Sequence, residues 1–292
     1  MFNGSLVALI TPFDSNNRVD YDALKRLIDF HVENGTQGLV IAGTTGESAT
    51  LVKDEHVELI RRSVELAAGR LPIVAGTGSN STAQTINLSQ AVQDSGIDAF
   101  LVVVPYYNKP TQEGLFQHFT AIADAVSKPV MLYNVPGRTV ADMLPETVAR
   151  LAEHENIFGI KEATGDIERL KQIQDLADDS FRYYSGDDFT TLPFIRAGGR
   201  GVVTVAGNVA PRQVAELCSL AAAGDADNAD ALDERLQPLN KALFLESNPI
   251  PVKWALCQMG LAGPGIRLPL TELDEKYHDD VRSALRHVGI DC

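Results

Sequence analysis

Lys161 closes a short apolar run in the stretch NIFGIKEATGD (156–166). The residues from Ile157 to Ile160 suit a buried strand, and a lysine does not. An ammonium held there loses hydration, and the strand offers no carboxylate on the same face. An amine shielded from water keeps a larger neutral fraction, and a neutral amine attacks carbonyls. Other chemistries ask for more than this stretch contains. A carbamylated lysine on a metal needs acidic co-ligands at close alternate spacing, which KEATGD lacks, and a proton-abstracting lysine beside magnesium needs clustered carboxylates. The bland alternative is a side chain that snorkels to Glu162 or Asp166. Schiff-base formation needs only the amine, proton-transfer groups and a dry pocket, and it fits best.

Imine formation and breakdown move several protons. Tyr133 and Tyr107 are the candidates to carry them, with the Thr44 hydroxyl able to link the two; ordinary aromatic packing is the competing explanation for both phenols. The loop GTTGES (43–48) offers N–H groups and hydroxyls that could seat a carboxylate, although it is not a phosphate-binding loop of the G-x-x-x-x-G-K-[ST] kind. Arg138, just beyond YNVPG, could clamp a second carboxylate through two nitrogens, against the alternative of simple solvent exposure. The six histidines, at 31, 56, 118, 154, 278 and 287, show neither H-x-H nor H-E-x-x-H spacing, so no metal is expected, and Schiff-base chemistry on a lysine calls for no other cofactor.

These residues need elements to hold them. Short apolar runs recur at LVALI (6–10), GLVIAG (38–43), PIVAG (72–76), AFLVVV (99–104), PVMLYNV (129–135), IFGIK (157–161), FRYYSG (181–186) and GVVTVA (201–206). They are mostly continuous rather than alternating, as in strands covered on both faces. Helical patterns lie between them. Tyr21, Leu24, Leu27, Ile28 and Val32 share one face before Gly35; Val57, Ile60, Val64 and Ala67 do the same before Gly69. Ser81 and Gln84 form a candidate capping box, and Pro145 and Pro211 stand at first helical positions. Eight such units over about 220 residues predict an α/β fold of the (β/α)8 TIM-barrel type spanning 1–224. An open doubly wound sheet is disfavoured by the missing G-x-G-x-x-G turn after the first strand. After AAAGDADNAD (221–230) the strand signals stop. Residues 225–292 are expected to form a C-terminal three-helix appendage, around 227–246, 249–260 and 272–288, with a kink at Pro238.

Barrel enzymes build their sites at the carboxyl ends of the strands. Here those positions hold Thr11, Thr44, Thr45, Gly76, Tyr106, Tyr107, Tyr133, Asn134, Lys161, Ser185, Gly186 and Ala206, a hydroxylic and phenolic set with one lysine. Global features narrow the setting. With 25 Lys+Arg against 39 Asp+Glu, the net charge of −14 has the wrong sign for a nucleic-acid binder. No window is apolar enough to cross a membrane, and no leader is expected at the start MFNGSLVALITPFD. Cys218, Cys257 and Cys292 are odd in number and widely spaced, which argues for a reducing compartment, with the cytoplasm as the default.

Taken together, GTTGESATL, PYYNKPTQEGL, YNVPGRT, GIKEATGD, YSGDD and ESNPIPVKWAL closely resemble the dihydrodipicolinate synthase family, within the N-acetylneuraminate lyase superfamily of class I aldolases. The resemblance runs nearly end to end. It implies a Schiff base between Lys161 and pyruvate, whose enamine attacks the aldehyde of L-aspartate 4-semialdehyde before cyclisation releases the product, in the diaminopimelate route to lysine. It makes Thr44, Tyr107 and Tyr133 the proton relay, with Tyr107 supplied by the neighbouring subunit. Thr45 becomes the pyruvate-carboxylate contact, Val203 a backbone position of the pyruvate site, Arg138 the receiver of the semialdehyde carboxylate, and Gly186 part of the same site. It also implies a homotetramer, a dimer of dimers.

Many members are inhibited by lysine at a tight-dimer site. Ser48, Ala49, His56, Asn80 and Tyr106 match that site, whereas Lys53 replaces a histidine and Gln84 a glutamate. A second ammonium and a lost charge partner imply weakened feedback: one charge-assisted hydrogen bond is worth on the order of 1.5–3 kcal/mol. Sister families of neuraminate lyases and keto-acid aldolases share the barrel, the lysine and the first tyrosine; PYYNKP together with Arg138 points away from them. A non-catalytic barrel that binds small acids remains the alternative from another class.

Overall fold

The computed structural model describes residues 2–291. Eight short strands, β1 (Gly4–Ala8), β2 (Gly38–Ile41), β3 (Ile73–Gly76), β4 (Ala99–Val103), β5 (Val130–Asn134), β6 (Ile157–Glu162), β7 (Arg182–Ser185) and β8 (Gly201–Thr204), lie in sequence order in one closed parallel barrel. Closure is direct, with Gly4 to Val7 in register against Gly201 to Thr204. Every residue of β2, β3, β5, β6 and β8 is buried, which explains why the runs read as continuous rather than alternating. The alternation survives in which core each side chain joins. Leu6, Ala8, Val40, Val74, Met131, Tyr133, Tyr184 and Val203 fill the barrel, while Val7, Leu39, Ile41 and Leu132 pack under the surrounding helices.

One irregularity aims the future site. Between β5 and β6 the register steps from Val130↔Ile157 to Met131↔Gly159, so Phe158 is an extra residue in its strand. Phe158 joins the barrel interior, and so does the position two strand steps after Gly159, because Lys161 is brought level with the inward-facing Tyr133. Without that bulge Lys161 would stand level with Asn134, whose side chain serves contacts outside the barrel. Gly159 is required beside the bulge, since a Cβ there would lie 2.4 Å from the Arg182 carbonyl oxygen.

The intervening helices follow their patterns. Helix Tyr21–Glu33 is capped by Asp20, which accepts from Ala23 N at 2.9 Å, and Gly35 leaves it at φ +79°. Helices Pro145–Ala152 and Pro211–Ala223 begin on their prolines. Helix Lys53–Ala67 ends two residues before the expected Gly69, with the intervening Ala68 itself left-handed. Only half of the expected capping box forms. Ser81 accepts from Gln84 N at 3.4 Å, but the Gln84 side chain accepts from Ser79 Oγ instead of returning to the Ser81 N–H.

Three α-helices follow residue 225: Ala226–Ala242, Ile250–Gln258 and His278–His287. They are shorter than the expected spans. Pro249 and the proline-bearing segment 264–269 bound the middle one, and Asp274 caps a separate turn, Glu275–Tyr277, ahead of the last. The first runs through Pro238 as one helix. Leu236, Leu239, Val252, Leu256, Val281 and Leu285 belong to the same apolar core as the outer faces of the strands. Cys218 and Cys257 are free thiols, and Cys292 lies outside the described residues.

Candidate active site at the barrel mouth

Lys161 is 6% exposed and its Nζ lies 4.1 Å from the centre of the Tyr133 ring on the adjacent strand. Among the described residues it has no ion-pair partner. Both carboxylates that could have claimed it are engaged elsewhere. Glu162, one residue on, faces out of the barrel, accepting from Asn134 Nδ2 at 3.1 Å and from Thr164 N at 2.8 Å. Burial pushes its carboxyl above the usual range in spite of those bonds. Asp166 caps helix Ile167–Gln174 through Glu168 N. The snorkelling alternative therefore finds no partner here. Across β7, Gly186 donates its N–H to the Glu162 carbonyl at 2.7 Å, and a Cβ at this position would lie 2.9 Å from Lys161 Cε. Its lack of a side chain leaves the lysine its place. Val203, 1% exposed, shares the barrel interior with Tyr133 and Tyr184.

The loop after β2 supplies the other wall. Ala42 and Glu47 both take left-handed conformations, at φ 55°, and fold GTTGES into a tight knot. The knot uses three of its own amides: Gly46 N and Ser48 N donate to the Gly43 carbonyl, and Glu47 N donates to that of Thr44. The expected anion seat is thus narrower than the whole loop. The amides of Thr44 and Thr45 find no acceptor among the described residues, and of the two threonines Thr44 lines a cavity above the loop while Thr45 does not. Thr45, 2% exposed, accepts from Asn248 Nδ2 at 3.0 Å.

A cavity of about 710 Å³ opens over this loop. Thr44, Arg138, Asn248, Lys53, Gln84 and Tyr106 are among the residues that line it. Lys161 and Tyr133 are not in its walls; they belong to the interior layer of the barrel. Arg138, exposed on the short helix Pro136–Thr139, donates from Nη2 to the Asn248 carbonyl at 3.3 Å. Ser48, Ala49 and His56 also reach the cavity, whereas Asn80 does not, its carbonyl accepting from Asn108 Nδ2. His56 is held to the Gly76 carbonyl through Nε2 at 2.8 Å, and burial lowers its pKa below the ordinary imidazole value.

The expected relay is not joined within the chain: among the described residues no hydrogen bond links the Thr44 hydroxyl to Tyr133, and Tyr107 stands apart from both. It is 87% exposed at φ +75°, and no hydrogen bond joins it to Thr44 or Tyr133 among the described residues.

Sequence reasoning assigns no role to Asn248, Lys253, Glu47 or Arg267, and the structure brings all four to the loop after β2. Lys253 and Glu47 form an ion pair whose side chains are 2% and 1% exposed. Burial pulls Lys253 down to about 8, outweighing the opposing pull of Glu47. The second Glu47 oxygen accepts from Arg267 N at 3.0 Å, and Arg267 itself binds both oxygens of Glu55 at 2.6 Å. The ring of Phe13 lies against both cations, 4.3 Å from Lys253 Nζ and 4.1 Å from Arg267 Cζ. The available signal was a second lysine amid apolar residues, in NPIPVKWAL, the same anomaly that marks Lys161.

Known proteins are similar to this chain along nearly its whole length. The dihydrodipicolinate synthetase family model matches residues 1–288. The 4-hydroxy-tetrahydrodipicolinate synthase of Stutzerimonas stutzeri (strain A1501) is 55% identical over 290 residues, covering 99% of each chain. Among solved structures, the chloride-inhibited dihydrodipicolinate synthase of Acinetobacter baumannii, complexed with pyruvate, superposes with a TM-score of 0.97 at 49% identity, covering 99% of this chain and 100% of that one. The enzyme of Cyanidioschyzon merolae with lysine bound has a TM-score of 0.96 at 40% identity, covering 99% of both chains.

Proposed function

This chain belongs to the dihydrodipicolinate synthetase family, and we infer from that membership and from its barrel mouth that it condenses pyruvate with L-aspartate 4-semialdehyde, the reaction of a 4-hydroxy-tetrahydrodipicolinate synthase. The observation that carries the reading is the inward lysine without a counter-ion, stacked on a tyrosine ring at 4.1 Å. Lys161 Nζ adds to the ketone carbon of pyruvate, and the carbinolamine loses water to give the imine. Removal of a methyl proton gives the enamine, whose carbon attacks the aldehyde of the second substrate. The semialdehyde amino group then closes on the imine carbon and displaces Lys161, which regains its amine. Tyr133, whose ring lies against the nitrogen, is the phenol this reading assigns to move these protons. Thr45 and the free amides of the loop suit the pyruvate carboxylate, and Arg138 the carboxylate of the semialdehyde. Gly186 and Val203 shape the space around the lysine. In this reading the barrel of residues 1–224 carries the chemistry and the helices of 225–292 brace its mouth.

The test is reduction with borohydride in the presence of pyruvate, followed by intact mass. One reduced pyruvyl group is expected on the native chain and none on Lys161→Ala; an adduct that survives that substitution would refute the assignment. Adding semialdehyde in place of borohydride separates this reaction from that of a keto-sugar-acid aldolase.

Assembly and regulation belong to the same reading. An exposed Tyr107, with Val52 at 70% and Val140 at 69% exposure near the mouth, supports a homotetramer built as a dimer of dimers, in which Tyr107 completes the relay of a neighbouring copy. Among the described residues no helix is long and apolar enough to cross a membrane, which suits a cytoplasmic enzyme. Lysine feedback is weakened, since Lys53 and the neutral Gln84 line the cavity at positions where inhibited members carry a histidine and a glutamate. Half-inhibition by lysine at sub-millimolar concentration would contradict this.

A further inference from the structure

We propose that Asn248, on the segment joining the two helices Ala226–Ala242 and Ile250–Gln258, is a positioning residue that sets which way the Thr45 hydroxyl points, and so prepares the seat for the pyruvate carboxylate. The proposal rests on the pyruvate reading given above. Asn248 is 5% exposed, lines the cavity, and donates from Nδ2 to Thr45 Oγ1 at 3.0 Å. An amide nitrogen can only donate, so Thr45 must accept in this contact. A threonine hydroxyl has a single proton. With its oxygen occupied as an acceptor, that proton is left to be given to something else, and an anion beside the unengaged amides of Thr44 and Thr45 is the acceptor the loop suits.

The opposite arrangement would destroy that capacity. If Oδ1 took the Thr45 proton, the hydroxyl would turn its lone pairs towards the site and repel a carboxylate, and a buried amino group would be left unpaired. The observed arrangement instead leaves Asn248 Oδ1 buried with no partner among the described residues. An amide serving only to tie two segments together would satisfy both of its ends. One that leaves its acceptor unused so that Thr45 keeps a free proton is arranged for the ligand.

The backbone around Asn248 makes the placement firm. Its carbonyl accepts from Arg138 Nη2, Ile250 N closes a turn onto the Ser247 carbonyl at 2.8 Å, and Lys253, one helical turn later, pairs with Glu47 on the far side of the same loop. The segment 247–253 therefore grips the loop after β2 at Thr45 and again at Glu47, and it touches both predicted carboxylate receivers, Thr45 and Arg138.

The experiment measures the pyruvate concentration that half-saturates borohydride trapping, with no second substrate present, in the native chain, Asn248→Ala, Thr45→Val and the double variant. Each single substitution is expected to raise that concentration about tenfold, the worth of one hydrogen bond to a charged group. The double variant is expected to be no worse than Thr45→Val alone, because Asn248 acts through Thr45. A merely structural role would lower the melting temperature without moving half-saturation. Half-saturation within twofold of the native value in Asn248→Ala, or penalties that multiply in the double variant, would overturn the role. If Asn248→Ala does not fold, Asn248→Asp, of the same shape but without the donor, is judged by the same criteria. A native chain that gives no pyruvate adduct at all would overturn the pyruvate reading and this role with it; an adduct indifferent to Asn248 would overturn the role alone.

Discussion

Replacing Lys253 with methionine should destabilise the chain far more than a change of one side chain near the C-terminus would suggest. The methionine fills much the same volume against Phe13 but leaves Glu47, with its side chain 1% exposed, facing an apolar neighbour. Glu47 keeps its bond from Arg267 N, so the loss is that of one ionic partner and not of every contact. Removing one member of a buried pair costs about 3–5 kcal/mol, most of it the penalty of the charge left behind. For 292 residues, unfolding entropy at the usual per-residue value is about 0.6 kcal/mol per kelvin, so the melting temperature should fall by roughly 5–8 °C. The decisive measurement is a double-mutant cycle by calorimetry at fixed protein concentration. Glu47→Gln added to Lys253→Met removes the stranded charge and should restore a large part of the loss, leaving the double variant more stable than Lys253→Met alone. Because Glu47 belongs to the loop that carries Thr44 and Thr45, activity should fall with stability in the single variant and recover with it in the double. A Lys253→Met chain that melts within about 1 °C of the native protein, or two losses that simply add, would refute the idea that the pair holds the loop.

Three further outcomes follow from the same geometry. Tyr133→Phe keeps the ring under the lysine but removes the phenol, so turnover should drop by about 10²–10⁴-fold with the melting temperature unchanged; a loss below threefold would assign proton transfer elsewhere. Gly186→Ala puts a Cβ 2.6 Å from that of Ala163 and 2.9 Å from Lys161 Cε, and a displacement of the lysine by about 1 Å should cost around 10²-fold in pyruvate trapping; full trapping would show that the lysine does not need that space. His31 is buried with Nε2 unpartnered among the described residues, and burial pulls its pKa down to about 3. Between pH 6.5 and 3 the unfolded chain binds the extra proton and the folded one does not, so this stability is complete above 6.5 and is lost as pH falls, by about 2 kcal/mol at pH 5. His31→Phe should flatten that slope in acid denaturation curves, and an unchanged slope would place the acid sensitivity in other groups.

The parts of this molecule that could be read in advance are those that depend on local pattern. Continuous apolar runs separated by helical stretches are the direct consequence of strands covered on both faces, and counting them was enough to place Lys161 in the sixth strand of a closed parallel barrel. Ends were read less well than centres. The first strand lies two residues earlier than its apolar run, at Gly4–Ala8: Leu9 N still donates to the Val40 carbonyl at 3.0 Å, but Ile10 N turns to Asn208 Oδ1 at 3.1 Å instead of to a neighbouring strand. The segment after residue 225 was legible as helices but not as part of the site. Asn248 and Thr45 are 203 positions apart, and Lys253 and Glu47 are 206 apart. No spacing rule reaches that far, and only an out-of-place lysine hinted at it. Tyr107 was legible as a phenol beyond a strand end, but its service to a neighbouring copy was legible through family resemblance alone.

The lysine that motivated the reading shows where pattern and fold part company. Its strangeness in an apolar strand was visible, but the direction in which it points was not, because a strand's alternation fixes direction only while its register is kept. Phe158 breaks the register by one residue, and that single step exchanges the two faces for everything after it. Ile160 then packs outward beneath the helices, Lys161 turns inward to Tyr133, and Glu162 turns outward to Asn134 and Thr164. A regular strand of the same composition would have placed the carboxylate at the barrel interior and the amine among the helices, where neither has a carbonyl to meet. The bulge, fitted against β7 by the missing side chain of Gly159, is thus the feature that converts a run of residues suited to any buried strand into one able to present a nucleophile.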